Sequence, residues 1–436
     1  MRVHRDPHPR LFQVLRTVVA TSLTAAWCVP AVVSAESPPQ QGSVPPTAIA
    51  QAAATPTLTL QDCLSIGRTH QPSLQAASAS LGTAQAAQRG LNAIRFGSRL
   101  SRELPIRKQQ SAHGIAAATA NLEQVRHDVD ASIARLYYSV IYAQEQLQVA
   151  EEISARLQAT VAVGETLLGQ RGAPPDLNAL SIERAKLFRA LAQSRVDEAK
   201  RGLNRAKAAL REAMGVGDDF PFDIARIDLP QKLSGVDKDE IVRLAQCYRG
   251  EVAMAQHGVA ISQLEMQAQA AMRRVKRPTA AAAGDVHSRP VPTGSFGDDY
   301  KPGAIGFDFP TLFVGPREIR VQRAAEVTNR SAAAADKAKN LVTLEAEDTY
   351  YRWEETVQKI AKFTQAAKDA EELGKRASSA LESGVIQSYR DVLEILVLGA
   401  QIRANLNEAR YNHAVALTEL ERVTGGAFLV VTGHTP

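Results

Sequence analysis

Asp391 and Glu394 lie three residues apart at the start of a long apolar-periodic run, so a helix there puts both carboxylates on one face. Rotational symmetry around a narrow aqueous hole would turn such a pair into a ring that attracts cations and, when ionised, resists closure. On a solitary helix the same two acids are a solvated face, and spacing alone does not choose between the readings. Arg273, Arg274, Lys276 and Arg277 border a Gly- and Pro-rich stretch. They suit anionic head groups or phosphates, or simply a solvated junction. His413 falls on the apolar stripe of the last helical run and reads as a packed core histidine. No glycine-rich phosphate loop, His/Cys ligand cluster or nucleophile–base pair is present. Catalysis needs groups that converge on a pocket, and this chain reads as rods: not an enzyme, with no cofactor and no metal.

The elements that must position these acids are long helical hairpins, and the pattern occurs twice. The first runs from about Ile115 to Met214, carries Tyr137-Tyr138, turns at Gly172-Ala173-Pro174-Pro175-Asp176 and closes at Gly215. The second runs from about Ile319 to Thr424, carries Tyr350-Tyr351, turns at Gly384-Val385-Ile386-Gln387-Ser388 and closes at Gly425. An internal repeat of this kind governs the architecture. Arms of about 40 to 55 residues predict helices roughly 60–80 Å long, well beyond the ordinary helix of about 11–12 residues.

In the first arm Leu122, Val125, Val129, Leu136, Val140, Ala143, Leu147, Ala150, Leu157 and Val161 step by threes and fours, with Ser132 and Ser154 filling gaps. Ala185, Phe188, Ala192, Val196, Ala199, Leu203, Ala206, Leu210 and Ala213 repeat the pattern in the returning arm. Leu180, Leu187 and Leu191 add a second apolar flank. A helix with two apolar flanks suits a closed cylinder, although periodicity alone fits an antiparallel bundle equally well.

Each hairpin is preceded by a broken helix and an insert. Thr59 and Asp62 read as a capping box, and His70-Gln71-Pro72 breaks that helix before it resumes. Asp237 opens the counterpart, broken at Tyr248-Arg249-Gly250. The first insert, 92–114, is short and crowded with Arg95, Arg99, Arg102, Arg107 and Lys108. The second, 275–318, contains Gly303 to Phe309, whose alternation fits a membrane strand or a plain surface loop.

The organisation is therefore a segment 1–35, a leader 36–56, a first repeat 57–214, a linker 215–235, a second repeat 236–425 and a tail 426–436. The basic start and apolar run closing at Val33-Ser34-Ala35 read as a secretory signal peptide, the alternative being an anchor. Its removal takes Arg2, Arg5, Arg10, Arg16 and Asp6, lowering the net charge of +5 by three to +2. That balance gives no case for nucleic acid. Cys63 and Cys247 then remain, and an exported protein could pair them. Aromatics make up only 5%, which suits close helix packing rather than a thick globular core.

In this order and spacing, Leu58 to Leu64, Gly306 to Arg317, Gly384 to Glu394 and Asn407 to Asn412 resemble the TolC-like outer-membrane efflux proteins. The resemblance spans nearly all of residues 57–425. It implies a mainly α fold: coiled-coil hairpins in two structural repeats forming an α-barrel, with short β inserts contributing to a trimeric outer-membrane β-barrel. It implies a homotrimer in outer-membrane lipid, extending into the periplasm as an exit duct for efflux or type I secretion. The partners implied are a periplasmic adaptor and an inner-membrane transporter, the adaptor meeting the tips Gly172 to Asp176 and Gly384 to Ser388. Asp391 and Glu394 match the family's acidic aperture ring, with Glu in place of the second acid. The shortened first insert departs from the pattern. The rival reading is a periplasmic coiled-coil scaffold or adaptor that never inserts.

Overall fold

The computed structural model describes residues 55–94, 101–170, 173–272, 315–383 and 388–428. Residues 1–35, most of the leader, Arg95 and Arg99 of the first insert, the basic cluster Arg273 to Arg277, nearly all of the second insert, Gly172, Gly384 to Gln387 and the end of the tail lie outside them. The described elements are β1 (Thr57–Leu58), α1 (Leu60–His70), α2 (Pro72–Ala93), α3 (Leu104–Leu167), α4 (Ala179–Met214), β2 (Asp223–Ile224), α5 (Lys238–Tyr248), α6 (Gly250–Ala271), α7 (Arg317–Glu382) and α8 (Tyr389–Val423).

Local chemistry starts and stops these helices where the sequence indicates. Thr59 Oγ1 accepts from the Asp62 N–H while the Asp62 carboxylate accepts from the Thr59 N–H, a complete capping box on α1. Asn178 and Ser181 form the same reciprocal pair on α4, and the Asp237 carboxylate caps α5. Both return arms end on a left-handed glycine, Gly215 at φ 70° and Gly425 at φ 60°. A side chain there is excluded twice over. A Cβ on Gly215 would lie 2.8 Å from the backbone of His70 and Gln71, and one on Gly425 would lie 2.5 Å from the Tyr248 carbonyl. Each closing glycine thus seats its arm against the break in its own repeat's short helix, which is why glycine and break recur together.

The arms are more unequal than the sequence reading expects. α3 and α7 have 64 and 66 residues, and α4 and α8 have 36 and 35. At 1.5 Å per residue the long arms reach nearly 100 Å and the short arms a little over 50 Å. On the first hairpin the extra length comes from the first insert, whereas α7 starts close to the expected Ile319 and is long because it runs unbroken to Glu382. α2 continues to Ala93 and α3 begins at Leu104, with Pro105 in its first turn. Proline is well tolerated there because its missing N–H has no intrahelical acceptor to lose. Most of 92–114 is therefore helix, and of its charges Arg107 is ion-paired to Glu265 of α6 while Arg102 is exposed. The stretch 94–103 left over is one membrane strand long at most.

Side by side, the helices run in a single layer. In one half α2 lies on α3, α3 on α6 and α6 on α7; in the other half the order is α4, α3, α8, α7. α3 is thus covered on two sides, and its buried positions spread into a wide arc. Ser132, placed on the predicted stripe, is exposed, whereas Ile133, Tyr137, Tyr138 and Ile141 are buried. The α4 stripe stands as read, with Ala185, Ala192, Val196, Leu210 and Ala213 buried. One apolar cluster joins α1, α3 and the end of α4 around Leu64, Ile133, Tyr137 and Leu210. Another joins α5, α7 and α8 around Ile241, Val342, Trp353 and Leu417.

Two unanticipated features tie the layer together. β1 and β2 form a two-residue parallel ladder that fixes the start of the first repeat to the linker. Arg249, 0% exposed at the α5/α6 break, donates to the Arg422 carbonyl and to Glu345, both at 3.1 Å. Cys63 is buried and Cys247 exposed, and both are free thiols. Among the described residues no helix is long and apolar enough to cross a membrane.

Candidate functional site at the hairpin tips

The tips are built from the turn between α3 and α4 and the first turn of α8. α8 opens on Ser388, whose Oγ accepts from the Asp391 N–H at 3.2 Å. That leaves other first-turn donors of the helix unsatisfied by its own backbone. The missing partner is Asp176, from the other hairpin. Its Oδ1 accepts from the Tyr389 N–H at 2.9 Å. Its Oδ2 accepts from the Arg390 N–H at 3.0 Å and from Ser388 Oγ–H at 3.1 Å. A carboxylate on a helix N-terminus is favoured by both hydrogen bonding and the helix dipole. Partial burial alone would raise the Asp176 pKa; the bonds from Arg390, Tyr389 and Ser388 outweigh it and hold the acid below its ordinary value.

A second contact backs the first. Tyr389 is fully buried, and its hydroxyl donates to the Thr160 carbonyl of α3 at 2.9 Å. The ring lies directly over Gly164, where a Cβ would fall 2.7 Å from the hydroxyl. Around this lock Leu157, Val161, Leu177, Ile182, Val392 and Leu393 form the apolar cluster of the tip. The Arg403–Glu152 pair, at 2.5 Å, ties α8 to α3 further along.

Asp391 and Glu394 are both exposed on the first two turns of α8, on the face that their spacing predicts. Their surroundings differ from a bare acidic ring. Glu394 accepts from Arg390 Nε at 2.7 Å. That bond, with the charges of Arg390 and then Arg184, holds its carboxyl below the ordinary glutamate value. Asp176, Leu180, Arg184, Phe188, Arg390 and Glu394 line an open groove between α4 and α8. Glu394 therefore belongs to a mixed-charge groove as much as to an acidic face. Of the other tip residues, Ala173 packs against the apolar cluster, Pro174 is buried and Pro175 is exposed.

Sequence reading places Asp176 and Ser388 at an external contact; the structure also gives them an internal one. It misses Tyr389, Gly164 and the Arg184–Arg390 pair. A signal was present: a lone glycine amid good helix formers marks close approach, here that of the Tyr389 ring.

His413 is a packed core residue, as read. It is fully buried, and its Nε2 accepts from the Lys232 N–H at 3.1 Å. The acceptor role leaves the proton on Nδ1, which donates to Thr356 Oγ1 at 2.9 Å. Thr356 donates to the Trp353 carbonyl, and Trp353 Nε1–H donates to the Lys232 carbonyl. The closed circuit fastens the linker to α7 and α8. Burial pushes the imidazole pKa down to about 4.

No family sequence model and no curated protein sequence matches the chain. Solved structures do. The outer-membrane channel OprN superposes with a TM-score of 0.65 at 14% identity, over 85% of this chain and 90% of that one. The outer-membrane protein VceC from Vibrio cholerae gives 0.64 at 17% identity, over 85% and 97%. The open state of the Neisseria gonorrhoeae MtrE outer-membrane channel gives 0.64 at 14% identity, over 86% and 91%. At these identities the likeness is one of fold.

Proposed function

We propose that this chain, which has the fold of the TolC-like outer-membrane channels, is one subunit of a homotrimeric exit duct. It would span from the outer membrane into the periplasm and pass substrates outward, for efflux or type I secretion. The fold likeness over nearly the whole of each compared channel carries this reading. Transport through it is passive; the energy belongs to an inner-membrane transporter reached through a periplasmic adaptor at the tips.

The edges of the helix layer support ring closure. α4 and α7 are its outermost long helices, and they carry much of the exposed apolar surface. Leu180, Leu187 and Leu191 are 79%, 68% and 64% exposed on the second flank of α4, and Ile319, Tyr351 and Leu373 are exposed on α7. Different edges meeting head to tail form a heterologous interface, which closes into a ring when the rotation permits. The leucine flank is then the surface that meets the next copy.

The rival reading, a periplasmic scaffold, draws on the stretch 94–103, too short for two membrane strands. Density-gradient fractionation of envelopes with a carbonate wash separates the two. Retention in the washed outer-membrane fraction is the expected result. Release into the soluble periplasm would replace the duct with the scaffold.

A further inference from the structure

Away from the tips, α3 and α6 form an antiparallel seam whose register is held on both sides. On one side Gly250 sits so close to α3 that a Cβ would lie 2.5 Å from the Ala120 carbonyl. On the other, Gln110 donates to the Ile261 carbonyl at 3.0 Å, and Arg107 pairs with Glu265. Between these anchors His113 of α3 and His257 of α6 meet. Their Nδ1 atoms are 3.2 Å apart, with the ring centroids at 5.4 Å and the planes tilted by 44°. Both residues are half-exposed, so water reaches the pair.

Two imidazole nitrogens bound to one metal ion at about 2.0–2.1 Å stand about 3.3 Å apart at a tetrahedral angle and about 2.9 Å apart at a right angle. The observed separation lies between those values. Closing on a metal therefore asks for little movement of either helix. Imidazole binds metals only through a bare ring nitrogen. Among the described residues no group of three His, Cys, Asp or Glu side chains is poised for a metal. The remaining positions at this pair would go to water or an exogenous ligand.

We propose that His113 and His257 form a two-histidine site for a divalent, imidazole-seeking transition metal of the copper and zinc class, which cross-links the two repeats through α3 and α6. The first repeat supplies one ligand and the second the other. Neither helix alone offers the pair, so bound metal stabilises the seam and not either hairpin. Cu2+ binds more tightly than Zn2+, following the general order for nitrogen sites.

The test is titration of the purified, tag-free full chain with Cu2+, followed by visible absorption and electron spin-echo spectroscopy, with thermal melting in parallel. Expected are one saturable equivalent per chain, two imidazole nitrogens in the echo spectrum, and a melting temperature raised by the metal. H113A and H257Q should each weaken binding at least tenfold and lose the thermal shift, while H70A should keep both. Equal Cu2+ binding by the wild type and both variants would overturn the site. So would a wild-type echo spectrum showing fewer than two imidazoles, a readout that needs no variant to fold.

Discussion

At the residue scale the side chains that matter join one element to another. Asp176 spans the two tips, and removing it leaves the α8 N-terminal donors without partners. Asp176→Ala should therefore cost about 1–3 kcal/mol and loosen the tip selectively. Hydrogen exchange should rise at Tyr389 and Arg390 while α5 and α6 stay protected; uniform exchange would speak against a latch. His413 gives a pH prediction. Its folded pKa of about 4 lies below the unfolded value of 6.5, so between those values the unfolded chain binds more protons. The stabilisation is complete above about pH 6.5 and falls away as pH drops toward 4. His413→Ala should flatten that part of the stability–pH curve and leave the Lys232 N–H unpaired. An unchanged slope in urea melts across this range would contradict the assignment. The two acids of α8 should also separate. Glu394 is held in an ion pair by Arg390, so in the assembled duct Asp391→Ala should reduce cation preference more than Glu394→Ala. Equal effects, or none, in reversal-potential measurements would remove the ring from the account.

At the element scale, the features legible in the sequence are those set by near neighbours. The Thr59–Asp62 box, the breaks at Gln71 and Arg249, and the closing glycines all depend on residues a few positions apart. The start of α3 does not. The charges around Arg107 read as part of a short β insert until the partner, Glu265 on α6, is in place. The wide buried arc of α3 was hidden for the same reason: a heptad stripe assumes one neighbour, and α3 has several. Tyr389 over Gly164 is likewise a contact between distant segments, visible beforehand only as an odd glycine. Gly164→Ala should force the ring from its pocket at a cost of about 1–3 kcal/mol. Calorimetry showing wild-type stability would mean that the ring can shift freely.

At the scale of the whole molecule, the account turns on the layer closing on itself. The sequence marked both apolar flanks of α4; the structure buries one against α3 and leaves Leu180, Leu187 and Leu191 exposed at the edge. The acidic pair was legible as a shared face, and Arg390 lay four residues before Glu394, but Arg184 was not legible because it arrives from the other hairpin. Leu180→Ser, Leu187→Ser and Leu191→Ser together should leave subunit folding within about 0.5 kcal/mol, as exposed substitutions do, while abolishing the trimer in native mass spectrometry. A trimer that survives would place the interface elsewhere.

The most direct test of the duct is single-channel recording of the purified chain in planar bilayers, wild type beside Asp176→Ala. The account predicts discrete, cation-preferring openings whose open probability rises when the latch between the tips is removed. A protein that assembles yet never conducts in either form would contradict it.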